Sequence, residues 1–389
     1  MSRAATAVIA LALVLSACTS GRGTTTASSG PQSAVVAAAS PTTAPAGSSS
    51  PSASASASAS APASPSAGTP ASNSAAPPPL PLPTSFGSGP AWPRVARSAA
   101  PPAYGAVRTK RIATITAGDT LARGLLLPRL DASAHAPLVM TPCGRQVRLR
   151  ATDVEFVAPG SGGPLPKPAG QVVALIDPGH GGPADGAIGV DGSREADRVL
   201  DLARQVARYA DARLGRVYLT RDRDMNSTLE FRTTLGDALR VDVAVAVHLN
   251  AEGRTPLDRP GVETFAAASD PQGRRLAGVM YEAERRFLQQ FPGPWVGYAD
   301  AGAKYRLNLR GIDYYGLLRR SHRPWVISES LFMTSAHDIA LLDRPAFVSQ
   351  LAATIAGAAG DFTTTRAAGS GWRKPRPPVP DAGNTPPEP

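Results

Sequence analysis

Four polar side chains in this chain stand where an apolar run, or the loop leaving it, comes to an end: His180, Glu195, His248 and Glu329. His180 lies in Asp177-Pro178-Gly179-His180-Gly181-Gly182, whose glycines let the backbone turn sharply and leave the imidazole unshielded. His248 directly follows alternating Val and Ala over 243–247, and Glu329 closes the run 325–328. Glu195 follows Gly192-Ser193-Arg194 and falls in the first turn of an expected helix, where the helix dipole favours a carboxylate. Two neutral imidazoles and a carboxylate suit a catalytic zinc ion (Zn2+), which takes N and O ligands tetrahedrally and keeps one position open for water. The set is scattered along the chain, so spacing alone leaves an alternative standing. Each histidine taken singly is more often a structural or surface residue than a ligand. Two of only five histidines at strand ends, each beside small residues, bring the two readings level.

The elements that must position these residues follow a strand, loop, helix rhythm from Gln171 onward. Residues 172–176 form a continuous apolar run bounded by Asp-Pro-Gly, as expected of a strand buried on both faces. Val199, Ala203, Val206, Ala207, Ala210 and Leu214 recur at helical spacing, and Gly215 marks a stop. Further strands are expected at 217–220, 243–247, 262–265 and 325–328. Helices are expected from Ser227, whose spacing to Glu230 is that of a capping box, to about 239, then over about 271–290 and 345–359. Strands alternating with helices predict an α/β fold, a twisted, mostly parallel or mixed sheet flanked by helices on both faces. Open sheets of this class place ligands where the strands end.

Ile176-Asp177-Pro178-Gly179-His180-Gly181-Gly182 resembles the opening motif of the zinc-dependent N-acetylmuramoyl-L-alanine amidases of the type 3 class. Gly192-Ser193-Arg194-Glu195 resembles the segment carrying that family's second ligand, and Val247-His248-Leu249-Asn250-Ala251 the segment carrying the third. Tyr218-Leu219-Thr220-Arg221-Asp222, Asn308-Leu309-Arg310-Gly311 and residues 324–329 match later segments in the family's order. The resemblance covers about 190 residues. It implies zinc held by His180, Glu195 and His248, with Glu329 as the catalytic acid/base, and hydrolysis of the amide joining muramic acid to L-alanine in peptidoglycan. Asn250 and Arg310, inside matching segments, are candidate substrate contacts. Two departures are visible: Val199-Leu200 stands where the family usually has Asn-Leu, and Ser330 follows Glu329 where it usually has Gly. A zinc peptidase acting on the stem peptide, or a non-catalytic wall-binding regulatory lipoprotein, are the rival readings.

The rest of the chain sets the context. Residues 19–103 are mostly Ser, Ala, Thr, Pro and Gly, with too little apolar bulk to offset ordering entropy, and are expected to be a disordered linker. Residues 104–160 alternate apolar and polar positions and predict a small β-rich accessory segment leaning on the catalytic domain at 168–362. Residues 363–389 are expected to be a disordered Pro-rich tail. At the start, Arg3 and the short apolar stretch 7–15 precede Leu15-Ser16-Ala17-Cys18, which resembles a bacterial lipobox. That resemblance implies lipidation of Cys18, a membrane anchor and export to the cell envelope. An ordinary signal peptide with an incidental cysteine is the alternative. With Cys18 lipidated, Cys143 is the one remaining thiol, so no intramolecular disulfide forms.

The net charge is +10, and only four of the 40 basic residues are lysines. No basic helix with base-reading side chains and no aromatic stacking ladder accompanies that charge, which argues against nucleic acid; an anionic envelope polymer suits an exported protein better, and a base composition that favours Arg codons is the alternative. Arg319, Arg320 and Arg323 read as a solvated cluster, His135, His322 and His337 as surface residues, and residues 291–307 as a long connection that walls a groove. No autoinhibitory helix signature lies between His248 and Glu329, and nothing in the sequence identifies a protein activator.

Overall fold

The computed structural model describes residues 97–115, 119–251, 261–292, 302–370 and 376–379. Cys18 and its lipobox lie outside them.

Seven short strands precede the principal sheet: β1 (Ala106–Thr109), β2 (Ala113–Thr114), β3 (Thr120–Leu121), β4 (Leu126–Pro128), β5 (Leu138–Met140), β6 (Gln146–Arg148) and β7 (Val154–Val157). They pair antiparallel, with β1 between β4 and β7, and β2·β3 and β5·β6 as hairpins. The expected linker stops earlier than 103. Arg97 forms an ion pair with Asp270 at 3.2 Å and Ser98 Oγ lies 2.9 Å from His322 Nε2, so the chain is already held at residue 97.

The principal sheet is built from β8 (Val172–Pro178), β9 (Gly215–Leu219), β10 (Val243–Asn250), β11 (Glu263–Phe265), β12 (Gly302–Lys304) and β14 (Trp325–Phe332), in the order β12-β11-β14-β10-β8-β9. The pairs β9·β8, β8·β10, β10·β14 and β11·β12 are parallel, and β11·β14 is antiparallel, so the sheet is mixed. Alternation along each strand sends residues to two cores. On one face Val172, Ala174, Ile176, Val243, Val245, Val247 and Val326 pack with α1 (Glu195–Leu214), α3 (Pro271–Leu288) and α6 (Pro345–Thr364). On the other, Val173, Leu175, Ala244, Ala246, Trp325 and Ile327 meet α2 (Leu229–Ala238) and α4 (Gly316–Arg320). Val107, Leu127 and Val139 of the N-terminal strands belong to this second core, so a segment too small for a core of its own completes a neighbour's.

Several boundaries differ from expectation for local reasons. The N-cap of α2 is Thr228, whose side chain accepts the Phe231 N–H, rather than Ser227. Helix α6 runs to Thr364 because Phe362 is fully buried with the Arg275 guanidinium 4.0 Å from its ring centroid. The tail is not without structure throughout: β15 (Arg376–Val379) pairs in parallel with β13 (Arg306–Asn308). A short helix, α5 (Ala336–Leu342), opens on Ser335 as N-cap.

Candidate active site

The site forms at the C-terminal ends of β8, β10 and β14. His180 leaves β8 at φ 56°, in the left-handed region, with its carbonyl taken by the Arg232 guanidinium at 2.8 Å. His248 points from the same sheet face as Ala244 and Ala246, against the turn. A Cβ on Gly179 would sit 2.3 Å from the His248 ring, so the turn has room only for glycine. At Gly186 a Cβ would sit 2.5 Å from Glu195 Oε2, so the loop into α1 closes on the site under the same limit.

Glu195 is the first residue of α1 and is buried. Its Oε2 lies 3.2 Å from His180 Nε2 and its Oε1 3.1 Å from His248 Nδ1. Backbone N–H groups of Ala187 and Leu249 donate to the same carboxylate at 2.8 and 3.1 Å. Burial opposes ionisation here, but hydrogen bonds from His180 and His248 outweigh it and hold the Glu195 carboxyl well below the usual range. The two rings meet edge to face, with centroids 4.9 Å apart.

One ligand atom from each of His180, Glu195 and His248 lies within 4.8 Å of the others. Tetrahedral bonds of about 2.0–2.2 Å place neighbouring ligand atoms about 3.3–3.6 Å apart. One Glu195 oxygen and the two ring nitrogens, now within 4.8 Å of one another, therefore need to draw together by up to about 1.5 Å to receive a metal ion. Two imidazole nitrogens and a carboxylate match the N and O preference of such a centre, and the cluster fits a metal.

The turn itself is held by two buried arginines. Arg221 donates to the carbonyls of Pro178, Gly179 and Ala196 at 3.1, 2.7 and 2.8 Å. Burial, helped by the neighbouring Arg232 charge, pushes Arg221 down to about 10, still protonated at neutral pH. Arg232 donates to Asp177 Oδ1 at 2.9 Å, to Pro178 O at 2.7 Å and to His180 O. Three consecutive carbonyls, at residues 178, 179 and 180, are thereby satisfied by guanidinium groups rather than by a ladder.

Glu329 is half-buried on β14, in register with His248 on β10 and with Glu263 on β11. It lines, together with His180, Glu195, His248 and Asn250, a cavity of about 770 Å³ that Leu229, Tyr315 and Ile327 also line. Asn250 enters this cavity with its side chain already engaged: Nδ2 donates to Glu263 Oε2 at 2.5 Å and Oδ1 accepts the Ala251 N–H at 2.8 Å.

Arg310 does not line this cavity. Asn308 Oδ1 accepts the N–H groups of Arg310 and Ile312, closing a tight hairpin that turns residues 309 and 310 outward, and Arg310 is exposed away from the cavity lining. Two of the histidines expected at the surface are half-buried and bonded. His322 Nδ1 lies 2.8 Å from Asp237 Oδ2, and His337 bridges Asp338 and Pro292 O at 3.1 and 2.9 Å, whereas His135 is exposed. Of residues 291–307, those at 293–301 lie outside the described residues.

Sequence reasoning missed Arg232, Glu263 and Lys304. Glu263 and Lys304 form a buried ion pair on adjacent strands, each about 98–99 % enclosed at the side chain, as their 2 % and 1 % exposures record. The available signal was a charge inside a short apolar strand, Val262-Glu263-Thr264-Phe265, and one of only four lysines set among small residues.

Residues 174–360 match the family model for N-acetylmuramoyl-L-alanine amidase. The chain is 31 % identical over 211 residues to the amidase AmiC of Escherichia coli O6:H1, covering 50 % of this chain and 51 % of that one. It is 31 % identical over 182 residues to an endolysin of Bacillus phage SPP1, covering 46 % and 60 %. The solved structure of the amidase AmiC2 of Nostoc punctiforme overlays with a TM-score of 0.40 at 26 % identity, over 49 % of this chain and 96 % of that one. The chain thus spans about half the length of the first of these curated relatives and somewhat more of the second. Residues 174–360 are thus similar in sequence to the catalytic domains of type 3 N-acetylmuramoyl-L-alanine amidases.

Proposed function

We propose that this protein is a peptidoglycan hydrolase that cleaves the amide between N-acetylmuramic acid and L-alanine, using zinc held by His180, Glu195 and His248, with Glu329 as acid/base. The observation that carries the reading is Glu329 in register with His248, on the cavity that the three-residue cluster lines, in a domain similar to those of this family. When bound, the metal supplies Lewis-acid polarisation at neutral pH.

The chain's own residues do the rest. Arg221 and Arg232 hold the 177–180 turn so that the His180 ring faces Glu195. Glu195, ionised and gripped by two backbone N–H groups, keeps both imidazoles aimed at one point. The Glu329 carboxylate accepts a proton from the attacking water and delivers it to the departing L-alanine nitrogen, a leaving group too basic to go unprotonated. Asn250, with one N–H committed to Glu263, has its second N–H to offer the substrate.

Around this domain we place a lipid on Cys18, a membrane anchor, and an envelope location, with residues 22–96 as the tether. A disordered run of that kind has a typical end separation of roughly 50 Å, which allows an anchored enzyme to reach the wall. Digestion of purified peptidoglycan tests the activity. Intact stem peptides released from glycan support it; clipped stems indicate a stem peptidase, and no release indicates a binding protein.

A further inference from the structure

The pair Glu263 and Lys304 calls for an explanation that stability does not supply. Both side chains are almost fully enclosed, and removing two charges from water costs several kcal/mol that mutual attraction often fails to return. Replacing such a pair by apolar residues of similar volume is often neutral or stabilising. What apolar residues could not do is bind Asn250. Glu263 uses one carboxylate oxygen for Lys304 and the other for Asn250 Nδ2.

Strand order gives that hydrogen bond its direction. β14 lies between β11 and β10, and Glu263 is the register partner of Glu329 on one side as His248 is on the other. Alternate strands lie roughly 9–10 Å apart, a gap that a Glu and an Asn side chain close together. The Asn250–Glu263 bond therefore crosses over β14 next to Glu329. Just there the β10·β14 register slips between His248 and Asn250 and resumes at Phe332, so the ladder is interrupted directly beyond Glu329.

We propose that Glu263, anchored by Lys304, is a positioning residue: its bond to Asn250 straps β14 and holds Glu329 against the His180–Glu195–His248 cluster. This rests on the acid/base role given to Glu329 above. The charge on Glu263 strengthens the bond from the Asn250 amide, and Lys304 fixes the carboxylate plane so that only one oxygen faces Asn250. The strap leaves Glu329 few rotamers, and a carboxylate displaced by about 1 Å loses roughly a hundredfold in rate.

The test is the double variant Glu263→Leu/Lys304→Met in the full chain, which removes the strap without stranding a buried charge. A soluble N-acetylmuramoyl-L-alanyl peptide is the substrate. We expect wild-type zinc content, kcat lower by about tenfold to a hundredfold, and a smaller rise in KM because Asn250 also faces the substrate. Glu263→Gln/Lys304→Met, which keeps an acceptor for Asn250, recovers most of that loss. If the Leu/Met variant does not fold, Glu263→Asp, one methylene shorter and still charged, shows the same fall. A kcat within about twofold of wild type in the folded Leu/Met variant, or failing that in Glu263→Asp, overturns the proposal. If wild type itself does not cleave the peptide, the amidase reading fails separately. Crystal structures of wild type and Glu263→Asp then decide the strap: a displaced Glu329 carboxylate upholds it and an unmoved one refutes it.

Discussion

His248 and Glu329 are register partners on adjacent parallel strands, and both project from the sheet face that carries Ala246 and Ile327 into the second core. The proposed metal-ligating imidazole and the proposed proton carrier are thereby set side by side by the ladder itself. Glu329→Gln separates the two jobs. The amide is nearly isosteric, so fold and zinc content stay as in wild type. Peptidoglycan hydrolysis per bound zinc falls by about a hundredfold to ten-thousandfold. Near-equal turnover would show that another group carries the proton.

His180→Ala, Glu195→Ala and His248→Ala each leave an incomplete donor set, so each purified variant carries much less than one zinc per chain. Elemental analysis reads this directly. Full occupancy in the Glu195 variant would strike that residue from the ligand set.

Arg232 ties helix α2 to the turn that presents His180. Arg232→Met strands the buried Asp177 carboxylate, a loss of about 3–5 kcal/mol for a broken buried pair. The denaturant midpoint falls accordingly, and zinc affinity falls with it because the His180 ring loses its support. A variant with unchanged zinc affinity would confine Arg232 to stability.

Glu284 on α3 is fully buried, and its Oε1 accepts a hydrogen bond from Ser328 of β14. Burial lifts its carboxyl from 4.5 to about 7, against the weaker pull of Ser328 and Ser330. The folded state therefore holds this proton more tightly than the unfolded chain. Stability from this group is greatest below pH 4.5 and declines through pH 7, by on the order of 3 kcal/mol in all. Glu284→Gln removes that component. Thermal midpoints of wild type and variant converge at pH 4 and separate in favour of Gln at pH 8. Parallel curves would mean that Glu284 titrates normally.

If residues 22–96 are a tether, deleting them leaves the thermal midpoint unchanged, whereas Arg97→Ala lowers stability by about 1 kcal/mol through loss of the Asp270 contact. Cys18→Ala abolishes lipid labelling and membrane partition. Equal labelling of wild type and variant would remove the anchor.

The sequence by itself determined the strands and helices that carry the chemistry. Apolar runs at β8, β10 and β14 and the periodicity of α1 are local patterns, and the polar residue that ends each run stands out against them. Local pattern also located Glu195 at a helix start. Only the tertiary structure decided what meets. Glu195 reaches His180 across a loop and His248 from 53 residues away, and Arg232 reaches the same turn from 52 residues beyond His180. Such contacts depend on sheet order and crossover geometry, which leave no period in the chain. Arg310 is exposed and off the cavity lining, in a hairpin that Asn308 closes, and the α2 cap moved by one residue because Thr228, not Ser227, faces the first free N–H groups. Glu263 and Lys304 stayed hidden for the opposite reason. A buried charge in a short strand looks like a solvated position until its partner on the neighbouring strand is known, and only pairing supplies that partner.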